Sequence, residues 1–85
     1  MELARMTRQE KALQKIRNNP RGVRFDDLVK VLEQYGFEIR KTGGSHHVFI
    51  RGQYRVIVPF RKLHLLEYVV KDALKILDRI LEEED

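Results

Sequence analysis

Eighty-five residues without a cysteine can build one small domain with a thin core, and neither disulfides nor thiolate metal sites. At 42% hydrophobic and 35% charged residues the chain reads as globular rather than disordered, and its apolar runs fall far short of the ~20 residues of a membrane helix. The net charge of +4 is unevenly spread: residues 39–66 carry Arg40, Lys41, Arg51, Arg55, Arg61 and Lys62 with no acid, whereas residues 67–85 are mainly acidic.

In chain order, Thr7-Arg8-Gln9-Glu10 has the form of a capping box and predicts a helix over 7–18. Its apolar positions, Ala12, Leu13 and Ile16, are sparse, so a peripheral helix is expected, followed by a loop at Asn18-Asn19-Pro20-Arg21-Gly22. A second helix is expected over 25–35. Asp26 and Asp27 suit the positive end of its dipole, and Val23 and Leu28 form a hydrophobic staple around Arg24. Phe25, Leu28, Val29, Val31, Leu32 and Tyr35 supply its buried stripe, and Gly36 ends it in a left-handed cap.

Three strands follow, over 37–41, 45–51 and 54–59, joined by Thr42-Gly43-Gly44 and by the tight turn Gly52-Gln53. Pro59 closes the last strand. The final helix is expected over 65–83, with a broad stripe from Leu66 to Leu81. The order α-α-β-β-β-α predicts an α+β two-layer domain, residues 1–85, with the helices on one face of an antiparallel sheet. The peripheral helix is 7–18 and the core 23–83.

All three histidines lie in the basic interval. Histidine exchanges protons near neutral pH, and RNA supplies its own nucleophile, the 2′-hydroxyl. A histidine base with cations for the phosphate oxygens is therefore a sufficient ribonuclease kit, and no carboxylate in the interval offers a metal ligand. His46 and His47 follow the Gly43-Gly44 turn. Strand alternation sets His46, Val48 and Ile50 on one side and His47, Phe49 and Arg51 on the other. The first set looks core-facing, which leans toward His47 for exposed chemistry. The strand entrance beside two glycines leaves the choice open.

The stretch Phe25–Tyr35 with Gly36-Phe37, then Gly44-Ser45-His46 and an apolar strand, then Val56-Ile57-Val58-Pro59 and Tyr68–Leu74, resembles the HicA family of toxins from type II toxin–antitoxin modules. The resemblance implies a two-layer fold like that of double-stranded-RNA-binding domains. It implies an mRNA interferase of a toxin–antitoxin stress response: a metal-independent endoribonuclease that is inhibited by a cognate HicB antitoxin. No signal peptide or spanning segment is read in the chain, so a cytoplasmic protein is expected, without a cofactor and monomeric when free. The resemblance assigns the general base to His46, directly after Gly-Ser, and makes His47 secondary. The expected RNA-binding residues are Arg40, Lys41, Gly44, Ser45, Arg51, Arg55, Arg61 and Lys62.

The chain departs from the family pattern in two places. No histidine follows Pro59, and the hairpin Arg51-Gly52-Gln53-Tyr54 lacks a His-Pro pair. The competing expectations are a non-catalytic RNA-binding domain and a protein-interaction domain of the same fold.

Overall fold

A computed structural model describes residues 6–41 and 44–84. The elements are α1 (Arg8–Asn18), a 3-10 turn (Pro20–Gly22), α2 (Phe25–Gln34), β1 (Glu38–Lys41), β2 (His46–Arg51), β3 (Tyr54–Pro59) and α3 (Glu67–Glu83). The order is the expected one. Thr42 and Gly43, from the expected first turn, lie outside the described residues.

The helix ends follow from local chemistry. At α1 the Thr7 hydroxyl accepts from the Glu10 N–H at 3.1 Å, and the Glu10 carboxylate accepts from the Thr7 N–H at 2.9 Å. Two otherwise orphaned donors are thereby satisfied. At α2 the Asp27 carboxylate accepts from the Arg24 N–H at 3.0 Å, while Val23 and Leu28 are both buried. That helix stops where Gly36 takes φ +90°. The Phe37 N–H then reaches the Leu32 carbonyl (3.0 Å) and the Gly36 N–H the Glu33 carbonyl (3.1 Å). This is a Schellman closure, a backbone conformation that side chains other than glycine's resist.

The sheet is antiparallel in the order β1-β2-β3. Phe49 stands between Ile39 and Val56, and Val48 between Arg40 and Ile57. Phe49, Val56 and Val58 belong to one core cluster with Leu28 and Leu32 of α2 and Val70, Ala73 and Leu77 of α3. The helices therefore cover one face of the sheet, and Arg40, Arg55 and Ile57 are exposed on the other.

Beyond one-residue shifts at the end of α2 and the starts of β1 and β2, two details differ from the sequence expectation. Helix α3 begins at Glu67 rather than Leu65. The Leu65 N–H is used instead to bond the Val23 carbonyl at 2.8 Å, which buries Leu65 in the connection before the helix. Helix α1, expected to be peripheral, places Leu13 and Ile16, each 4% exposed, in the same core cluster. The Gln9 side-chain amide donates to the Gln34 carbonyl, and Arg17 pairs with Asp78 at 2.5 Å, so α1 is tied to both other helices.

Candidate active site

The alternation in β2 runs opposite to the expected sense. Phe49 is fully buried on the helix side, so His47 and Arg51 share that side, and His46 emerges with Val48 and Ile50 on the open face. The physical reason lies in the neighbours. Phe49 is paired with Val56 and His47 with Val58, both of which are buried under the helices. Apolar residues occur on both sides of β2, so hydropathy within that strand cannot identify the inner face.

His46 is the first residue of β2, exposed and opposite Pro59 across the ladder. Gly44 precedes it with φ +73°, and Ser45 is exposed in the same turn. The Ser45 carbonyl is held twice: by the Phe60 N–H at 2.8 Å and by the His47 Nδ1–H at 3.1 Å. His47 is half-buried, its ring centroid 5.0 Å from that of Phe25 and tilted by 60°. Phe25 in turn meets Phe60 edge-on at 5.2 Å. A three-ring stack thus fastens the entrance of β2 and the start of the following connection to the first turn of α2. His47 acts in this arrangement as a prop beneath the strand that displays His46.

The expected RNA-binding residues fall into separate groups. Arg40 and Arg55 are exposed on the open sheet face with His46. Lys41 ends β1 opposite His47. Gly44 and Ser45 form the turn before His46. Arg61 and Lys62 are exposed in the 60–66 connection, where the Arg24 guanidinium donates to the Lys62 carbonyl at 3.1 Å and Arg24 bridges to His64. Arg51 stands apart on the helix side. It donates to the Tyr35 carbonyl at 2.9 Å and pairs with Glu84 at 2.5 Å. Among the described residues, no three histidine or carboxylate side chains are grouped as a shared metal ion would require.

Sequence reasoning missed one further set. Tyr68, Lys75 and Arg79 of α3 line a groove beside β3 that includes His46 and Arg55. The signal was present as positions i, i+7 and i+11 of one helix face. Averaging the charge over the whole acidic helix concealed it.

Residues 25–78, well over half of the chain, match the model of the family described as HicA toxin of bacterial toxin-antitoxin. The match opens at the first residue of α2 and ends within α3, so it contains the whole basic interval and leaves out α1. No curated protein and no solved structure matches the chain. No helix among the described residues is long and apolar enough to cross a membrane.

Proposed function

Because the chain belongs to the HicA family of toxins from bacterial toxin–antitoxin modules, we propose that it is an mRNA interferase whose general base is His46. The observation that carries this reading is the placement of His46: exposed at the mouth of β2, directly after Gly44-Ser45, on the sheet face that also presents Arg40 and Arg55.

The imidazole takes the proton of an RNA 2′-hydroxyl as that oxygen attacks the adjacent phosphorus. The new O2′–P bond replaces the P–O5′ bond, and the departing 5′-oxygen is protonated from solvent. The products are a 2′,3′-cyclic phosphate and a free 5′-hydroxyl. The chemistry calls for no metal, since the nucleophile belongs to the substrate and cations carry the developing charge. Gly44 and Ser45 offer the phosphate a close approach. Arg40, Lys41, Arg55, Arg61 and Lys62 hold the RNA backbone, whereas Arg51, turned to the helix side and paired with Glu84, is left out of this set. His47 positions the strand: it lies half-buried on the helix side with its ring against Phe25, away from the open face, and is therefore the second choice of base. A HicB-type antitoxin would silence the protein by covering the His46 face.

The test is incubation of the purified chain with labelled mRNA in EDTA, wild type beside His46→Ala and His47→Ala. Loss of a general base should slow cleavage by about 10²–10⁴-fold. The His46 variant is expected to show that loss while remaining folded. The His47 variant should keep a larger share of activity and lose stability. Intact RNA in every lane would leave a binding or interaction domain.

A further inference from the structure

The groove between β3 and α3 has a volume of about 750 Å³ and is open to solvent. Its two ends differ. Arg51, opposite Tyr54 at the hairpin end of the sheet, pairs with Glu84 at 2.5 Å, so α3 finishes beside that hairpin. The helix therefore starts at the other end, near Pro59 and its ladder partner His46. Tyr68 lies in its first turn, at the His46 end, and Arg79 lies ~16 Å further along the axis, toward Arg55.

The lining chemistry follows the same polarity. Tyr68 is 62% exposed, a flat ring with no core role. Ile57, at 49% exposure, forms an apolar middle. Arg55, Lys75 and Arg79 provide three cations against the single carboxylate of Asp72. Among the described residues, the ion pairs of α3 are made by other residues: Arg17–Asp78, Arg21–Glu67, Lys71–Glu67 and Arg51–Glu84. A ring, an apolar floor and exposed cations in sequence match a strand of unpaired nucleotides, whose bases stack and whose phosphates need charge.

We propose that this groove is the subsite for single-stranded RNA adjoining the cleaved phosphate, with a base stacked on Tyr68 and the next phosphates held by Lys75, Arg79 and Arg55. The proposal rests on the ribonuclease reading for the position of the phosphate at His46. It adds that the strand leaves His46 along α3 and that Tyr68 seats one of its bases there. Tyr68 touches a neighbouring base rather than the reacting atoms, so it is a binding residue and not a catalytic one.

The experiment pairs two readouts. Binding of a 2′-O-methyl single-stranded oligonucleotide, which cannot be cleaved, is measured by anisotropy across a salt series; cleavage of the matching RNA is measured in parallel. Tyr68→Ala should weaken binding about tenfold or more, and Tyr68→Phe, which keeps the ring, should bind within about twofold of wild type. Lys75→Ala with Arg79→Ala should lower the slope of log K against log salt by about 1.4. Binding that responds in this way without any cleavage by wild type would sink the ribonuclease reading and keep the groove. Cleavage by wild type with binding and site preference unchanged in both variants would overturn the groove and assign it to a protein segment instead.

Discussion

Substituting Phe25 by leucine keeps most of the apolar volume at the start of α2 and removes two ring contacts, one to His47 and one to Phe60. Ring pairs at such distances contribute about 0.5–1.5 kcal/mol each beyond area burial. Phe60 is 48% exposed, so its pair belongs at the low end of that range. The expected loss is therefore ~1–2 kcal/mol, or a fall in Tm on the order of 5–15 °C for a domain of this size. Urea titration of wild type, Phe25→Leu, Phe60→Leu and the double variant isolates the second pair, and the coupling should be ~0.5–1 kcal/mol. The structure also predicts a local effect. The Phe60 N–H donates to the Ser45 carbonyl at 2.8 Å, so its hydrogen exchange should accelerate in Phe25→Leu more than that of the β2–β3 ladder. Additive single effects, together with an unchanged Phe60 exchange rate, would refute the idea that the ring stack clamps the turn before His46.

Two further outcomes concern the rest of the molecule. Leu13→Ala should cost ~2–4 kcal/mol in urea denaturation, because the side chain is 4% exposed within the shared core; a change under ~0.5 kcal/mol would mean that α1 is dispensable to it. Glu67 has its carboxyl pKa lowered, first by its hydrogen bond from Lys71 and next by that from Arg21. A depressed folded-state pKa adds stability that is present above the ordinary value of 4.5 and is lost as pH falls through the folded value. The Tm difference between wild type and Glu67→Gln should accordingly be small, largest near neutrality, and should close as pH falls below the ordinary carboxylate range; a gap that widens in acid would contradict that linkage.

Much of the architecture could be read from the chain because its signals are local. Thr7 with Glu10, Gly36 after Tyr35, and the Gly52-Gln53 turn each fix a boundary within four residues. The inner face of β2 was not readable in this way. It is decided by Val56 and Val58 on a neighbouring strand, and both Val48 and Phe49 satisfy hydropathy equally well. The onset of α3 was placed two residues early because Leu65 fits the helical stripe, yet its backbone is committed to Val23, 42 positions away. At the candidate site, the Gly44-Ser45-His46 motif points to His46, whereas periodicity alone leans toward its neighbour; the open-face placement of His46 follows from β2's pairing with β3. The groove face of α3 is hidden in the net charge of the helix, because Lys75 and Arg79 share one side of it while the acids are spread around it.

The exposure of His46 is a property of register rather than of its own surroundings. Alternation along β2 means that a one-residue slip of its pairing with β3 would exchange the faces of His46 and His47. The imidazole would still be present, at the correct distance along the chain, but turned toward Phe25. A deletion or insertion inside β2 that forces such a slip would take the imidazole off the displayed face while leaving it in the sequence, so the strand's pairing, and not the histidine codon alone, is what sets which side chain the open face presents.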